Sequence, residues 1–115
     1  GVFPSYYEPW GYTPLEAAAE SVPAVTADSS GVGRFLTAMP RDEQNPGIFV
    51  INNFGKSAGE AVEQLGNILY DYATMPRYQR VENKINARKL VNNFDWADLA
   101  ENYVAAHNLA LQRKN

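Results

Sequence analysis

Two short apolar runs, Pro23-Ala24-Val25-Thr26-Ala27 and Gly47-Ile48-Phe49-Val50-Ile51-Asn52, constrain the fold of this chain more than any other feature. Both are rich in apolar and β-branched residues and bounded by turn-forming ones, so both read as short buried strands. A helix precedes the first. Thr13-Pro14-Leu15-Glu16 announces it by three signals: an N-cap hydroxyl, Pro at the first helical position and Glu three residues after the cap. That helix is expected to run to about Ser21. Asp28 to Gly33 reads as a loop of small residues, Arg34 to Ala38 as a short helical turn, and Met39 to Gly47 as an exposed loop. Strand, helix, strand and then helices is an α/β order, and parallel pairing of the two strands is expected. Gly1-Val2-Phe3 reads as the tail of a further strand entering a loop at Pro4-Ser5, as though the chain were cut from a longer one. Two or three strands make a thin sheet, whose open edges would favour self-association.

The remainder reads as helix. Ser57 and Glu60 form a second capping-box pattern, followed by a stripe of Ala61, Val62, Leu65, Ile68, Leu69 and Tyr72. Pro76 opens the next helix, with a narrow stripe of Tyr78, Val81 and Ile85 and with Arg77, Arg80, Lys84, Arg88 and Lys89 on its other faces. Asp95 and Asp98 begin the last helix, where Trp96, Leu99, Ala100, Tyr103 and Val104 are expected to be buried.

Composition narrows the chemistry. With 115 residues, 45% of them hydrophobic, the chain has the length of one domain and enough apolar sequence for a core. Having no cysteine, it has no disulfide, thiol nucleophile or thiolate metal site of its own. A net charge of −3 disfavours a general nucleic-acid binder. There is no apolar run of about 18 residues and no leader-like segment, so neither membrane insertion nor secretion is expected and the cytoplasm is the default compartment. One histidine, His107, and scattered carboxylates do not make a transition-metal site, and His107 is expected to be structural or superficial.

The stretch Phe3-Pro4-Ser5-Tyr6-Tyr7-Glu8-Pro9-Trp10-Gly11-Tyr12-Thr13-Pro14-Leu15-Glu16 carries the functional signal. Glu8 lies in a loop and Glu16 in the first turn of the following helix, with Gly11 between them where a backbone can approach a ligand closely. A loop feeding a helix N-terminus is an anion site, because free N–H groups and the positive end of the dipole favour phosphate. A sugar nucleotide suits it, with Glu16 accepting from ribose hydroxyls, Glu8 facing the sugar and diphosphate, and Tyr or Trp supplying an aromatic face. By residue type alone, other readings stand beside this one. Glu16 can be the capping-box partner of Thr13, Glu8 a solvated loop charge, and the Tyr and Trp residues core or rim packing.

The run from Pro4 to Pro14 resembles the signature of the animal and fungal type of glycogen synthase, whose two glutamates are separated by seven residues, as Glu8 and Glu16 are here. The similarity continues in Ser30-Gly31-Val32-Gly33, Tyr78-Gln79-Arg80, Asp95-Trp96 and Leu109-Ala110-Leu111, and so covers nearly the whole chain. The resemblance implies two Rossmann-like domains facing a cleft, the GT-B arrangement. It also implies metal-independent transfer of glucose from uridine or adenine diphosphate glucose to the non-reducing end of an α-1,4-glucan, with retention and no cofactor. Residues 1–73 would be the C-terminal half of the donor-binding Rossmann-like domain, and residues 74–115 a helical segment. Carried over by position, Glu8 would be the acidic residue near the donor glucose and phosphates, an electrostatic or positioning residue rather than a nucleophile. Trp10, Gly11, Tyr12 and Thr13 would line the diphosphate and nucleotide, and Glu16 would bind ribose. A homo-oligomer is expected, without nucleic-acid or membrane partners.

The departures are specific. Where the family carries an arginine-rich regulatory helix for a sugar-phosphate activator, Arg77 to Leu90 keeps Arg77, Arg80, Lys84 and Lys89 but has Tyr78 and Asn86 at arginine positions. Asn52-Asn53 replace a basic pair before Phe54. Strong sugar-phosphate activation is therefore not expected, and the remaining basic residues also read as a solvated helix face. The family's acceptor-side domain and its basic residues lie earlier in the chain, so these 115 residues alone are expected to be inactive. Two alternatives stay open: another retaining enzyme of the class, such as a sucrose or starch synthase, and a non-catalytic module whose C-terminal helices form an oligomer interface through Tyr103, Leu109 and Leu111.

Overall fold

The computed structural model describes residues 1–114, in the order α1 (Tyr12–Ala19), β1 (Ala24–Ala27), α2 (Gly31–Ala38), β2 (Ile48–Ile51), α3 (Ala58–Thr74), α4 (Arg77–Val91), a 3-10 turn (Asn92–Phe94) and α5 (Trp96–Lys114). β1 and β2 pair in parallel, from Ala24 opposite Ile48 to Ala27 opposite Ile51. Gly1–Phe3 is not without a partner. Val2 forms a parallel bridge to Val25, with Phe3 N–H donating to the Val25 carbonyl and Val25 N–H to the Gly1 carbonyl, both at 2.9 Å. Three extended segments thus run in one direction, and their carboxyl ends open on one edge.

Side chains alternate across the strands, as the two-residue repeat requires. Ala24 and Ile48 join Leu15, Ala18, Val32, Leu36, Ala87 and Leu90 in a core beneath α1, α2 and α4. Val25, Ala27 and Ile51 face the other way and meet Phe49, Leu65 and Ile68, the last two from α3. Tyr72 of α3 stands edge-on to Phe49, with ring centroids 6.4 Å apart. The capping box of α3 forms: Ser57 N–H donates to Glu60 Oε2 at 2.8 Å, and Glu60 N–H to Ser57 Oγ at 3.3 Å.

Four local expectations are corrected. α1 begins at Tyr12 with Gly11 as its cap (φ 102°) and no side-chain capping bond, so the Thr13–Glu16 capping box does not exist and Pro14 sits inside the first turn. The cause lies outside the helix: Val32 N–H holds the Trp10 carbonyl at 2.9 Å, and only a left-handed residue turns the chain from there into α1. α2 begins at Gly31 rather than Arg34, because Ser30 Oγ accepts from Gly33 N–H at 3.0 Å and caps it. On α4, Tyr78 is 71% exposed and Val81 and Ile85 are exposed too, while Asn83, Ala87 and Leu90 are buried. On α5 no residue is buried, and Trp96, Ala100, Tyr103 and Val104 are exposed, since among the described residues only the preceding turn lies against it closely.

Asn83 explains the orientation of α4. Fully buried, it accepts from Gly47 N–H at 3.1 Å and donates from Nδ2 to Asn45 Oδ1 and the Gln79 carbonyl, each at 3.0 Å. Asn45, Pro46 and Gly47 are therefore buried, and the loop expected to be exposed is covered in its second half. A Cβ on Gly47 would lie 2.3 Å from Ala87 N, so glycine is what lets the two backbones touch.

Two outcomes follow. Asn83→Leu leaves the Gly47 N–H and Asn45 Oδ1 buried without partners and is expected to cost about 2–4 kcal/mol in urea unfolding. Bonds from the Ser57 backbone N–H and hydroxyl, with help from Lys56, hold the Glu60 carboxyl below its usual range. A depressed folded-state pKa contributes stability above the unfolded value of about 4.3, lost as pH falls through the lower folded value. Amide protection of Ala61, bonded to the Ser57 carbonyl, should therefore decline through that acid window, and Glu60→Gln should flatten the decline.

Candidate functional site

The signature loop lies at the carboxyl edge of the sheet, stitched to the start of α2. Gly31 N–H donates to the Glu8 carbonyl at 3.1 Å, Val32 N–H to the Trp10 carbonyl at 2.9 Å, and Glu8 forms a parallel bridge with Ser30. A Cβ on Gly31 would meet the Pro9 carbonyl oxygen at 2.3 Å, and one on Gly33 the Ala27 carbonyl oxygen at 2.0 Å. Ser30 Oγ donates to Ala27 O at 2.7 Å and lies 3.2 Å from Thr26 Oγ1, so the turn between β1 and α2 is itself fully paired.

Glu8 is half-buried, and its Cγ lies 3.2 Å from where a Gly11 Cβ would be, so the side chain rests across the glycine that starts α1. The N–H groups of Tyr12 and Thr13 have no acceptor among the described residues, and Pro14 has no N–H to offer. The Glu8 side chain thus packs on Gly11, the residue next to two open donors at the positive end of α1. Tyr12 and Thr13 are exposed; Gly11 is buried.

Glu16, exposed, lies on another face of the helix. With Trp10 and Tyr12 it lines a groove of about 500 Å³ between α1 and α5, whose far side includes Phe94, Trp96 and Tyr103. Glu8, Gly11 and Thr13 do not line that groove. Trp10 has a structural partner set that its sequence context did not reveal: it stands edge-on to Phe35 (6.1 Å) and Phe94 (5.8 Å), which themselves lie 5.2 Å apart. The aromatic positions are separated by tens of residues, so no local pattern announces the cluster.

The loops that follow β1 and β2 hold the signature in place. Ser29 Oγ donates to the Ser5 carbonyl at 2.5 Å, and Asn53 Nδ2 reaches the same oxygen at 3.4 Å. Asp28 Oδ1 accepts from Asn53 N–H (2.7 Å) and Phe54 N–H (2.8 Å), and Arg34 donates to the Asp28 carbonyl while covering the Phe54 ring at 4.8 Å. On α4, Arg77, Arg80 and Lys84 share an open groove with Tyr72 and Val81, whereas Lys89 lies apart, beside Arg41. Among the described residues no three His, Cys, Asp or Glu side chains could hold a metal together, and His107 is exposed on α5.

The Gly31 contact generates a paired expectation. Gly31→Ala drives a methyl into the Pro9 carbonyl and should lower stability by about 1–3 kcal/mol. Gly66→Ala, in open helix on α3, should raise it by about 0.5–1 kcal/mol; thermal unfolding of both variants checks the contrast.

The family model described as Glycogen synthase matches residues 1–115. The chain is similar to Glycogen [starch] synthase of Caenorhabditis elegans (40% identical over 113 residues, 98% of this chain and 17% of that protein). It is likewise similar to Glycogen [starch] synthase isoform 1 of Saccharomyces cerevisiae (37% over 115 residues, 98% and 16%) and to the liver Glycogen [starch] synthase of Homo sapiens (37% over 113 residues, 98% and 16%). It spans about a sixth of the length of these relatives. With the whole of its sequence matched and its two-glutamate signature at the carboxyl edge of a parallel sheet, the chain belongs to the glycogen synthase family.

Proposed function

We propose that the chain supplies the sugar-nucleotide side of a retaining glucosyltransferase, which moves glucose from a nucleoside diphosphate glucose to the non-reducing end of an α-1,4-glucan. The observation that carries the reading is the start of α1: Glu8 rests across Gly11, and the Tyr12 and Thr13 N–H groups are open, at the end of parallel strands where α/β sheets bind ligands. In this reading the sheet and its flanking helices are the C-terminal half of a Rossmann-like, GT-B donor domain, residues 1–73, with 74–115 as the helical segment that follows. The open N–H groups take donor phosphate oxygens, and the lack of a Cβ at Gly11 makes room for the Glu8 side chain beside them. Glu8 lies beside the glucose, where charge develops as the glycosidic bond to phosphate breaks; it orients and stabilises rather than attacks. Glu16, one turn along, accepts from ribose hydroxyls, and Trp10, held by Phe35 and Phe94, fixes the loop's exit.

The acceptor side and the basic residues of the reaction belong to the rest of the parent protein, and the chain alone is inactive. No helix among the described residues is long and apolar enough to cross a membrane. Of the basic residues expected on α4, only Arg77, Arg80 and Lys84 share a groove.

The test is transfer of radiolabelled glucose from uridine diphosphate glucose, and in parallel adenine diphosphate glucose, to glycogen by the parent protein. Incorporation is expected, falling by about 100-fold or more with Glu8→Ala. No incorporation from either donor overturns the reading and brings forward a non-catalytic role. Glucose 6-phosphate should raise the activity little; a strong rise contradicts the thinned cluster.

A further inference from the structure

The loop that carries Glu8 has two fastenings. One is backbone: Gly31 and Val32 N–H donate to the Glu8 and Trp10 carbonyls, and Glu8 N–H donates to the Ser29 carbonyl at 3.4 Å, a bond that no side-chain substitution at Ser29 removes. The other is made by side chains and converges on one atom, the Ser5 carbonyl oxygen, which receives Ser29 Oγ at 2.5 Å and Asn53 Nδ2 at 3.4 Å. Asn53 is buried and is itself held by Asp28, whose Oδ1 takes the N–H groups of both Asn53 and Phe54. Asp28 N–H in turn donates to the Ile51 carbonyl at the end of β2, at 3.0 Å. The position of the Glu8 loop is therefore referred through Ser5 to the carboxyl ends of both β1 and β2, two elements that carry none of the signature.

We infer that Ser29 is a positioning residue, assisted by Asn53, that sets the place of Glu8 by holding the Ser5 carbonyl. This rests on the proposed role of Glu8 in donor binding. Ser29 and Asn53 side chains bond to Ser5 and not to the start of α1; their action is on where Glu8 stands relative to Gly11. Deprived of its hydroxyl donor, the Ser5 carbonyl keeps only the 3.4 Å bond from Asn53, so the Ser5–Glu8 segment relies on the backbone bonds at its Glu8 end, and a small displacement of a positioned group costs rate out of proportion to stability. Thr at position 29 retains the hydroxyl; Leu at position 53 fills the Asn volume without the amide.

The experiment uses the parent protein and a double-mutant cycle. Ser29→Ala should lower kcat roughly tenfold with KM for the donor within about threefold, Ser29→Thr should restore most of it, and Asn53→Leu should act in the same direction more weakly. In a Glu8→Gln background, Ser29→Ala should cost less than about threefold more, because the group it positions is already disabled. The same tenfold loss in that background, or wild-type kcat for Ser29→Ala alone, overturns the inference. Hydrogen exchange of the Gly31 and Val32 amides is read on the same proteins: faster exchange in Ser29→Ala is expected, and unchanged exchange overturns the inference whatever the rates. A parent that transfers no glucose, or one indifferent to Glu8→Gln, overturns instead the proposed function, and the exchange result then decides the fastening on its own.

Discussion

The contact on which the arrangement depends is a close approach of two backbones, the Glu8–Trp10 segment against the first residues of α2. Two N–H groups, of Gly31 and Val32, serve the carbonyls of Glu8 and Trp10, and the approach is possible because Gly31 has no side chain to strike the Pro9 oxygen. Once Trp10 is held there, Gly11 must turn in a left-handed conformation to enter α1, and the indole is delivered to Phe35 and Phe94. The open N–H groups at the start of α1 are a consequence. A helix capped by glycine in this geometry brings no side chain back to satisfy its own first turn, so its donors are left for something else.

Around that contact the molecule is layered but thin. The sheet is covered by α1, α2 and α4 on one face and α3 on the other, and the buried hydrophobic residues form one cluster on each face. The Cα radius of gyration, 16.4 Å, exceeds the ~13 Å of a compact chain near this length, and the extents of 59 × 33 × 21 Å are elongated; neither α3 nor α5 holds a fully buried residue. On both, large apolar side chains such as Val62, Tyr70, Trp96 and Tyr103 stand in solvent. Stability therefore rests on few residues, and the buried polar pair Asn45 and Asn83 matters more than its size suggests, because it decides which face of α4 closes the core.

The α4 helix also shows the limit of reading a stripe by hydropathy. Tyr78, Val81 and Ile85 look like the inner face, yet the inner face is Asn83, Ala87 and Leu90, chosen by an asparagine whose partners, Asn45 and Gly47, are 38 and 36 residues away. An amide that satisfies several buried groups at once outweighs three apolar side chains that can be left half in water. At α1 the failure was similar in kind. Thr13, Pro14 and Glu16 satisfy every local rule for a helix start, and the helix starts two residues earlier because a bond from Val32 has already fixed Trp10.

What the sequence by itself determined were the features carried by neighbours in the chain. These are the two strands, from short runs of apolar and β-branched residues; the α3 capping box, from Ser57 and Glu60; and the position of the signature, from an unbroken string of residues. Only the tertiary structure decided the rest: the pairing of Gly1–Phe3 with β1, the cap at Gly11, the aromatic set around Trp10, and the side chains of Ser29 and Asn53 meeting on the Ser5 carbonyl. The physical reason is range. Propensity, periodicity and capping act over three or four residues, whereas a close approach of backbones or a shared acceptor joins residues 20 or more positions apart and has no signature until the chain is folded.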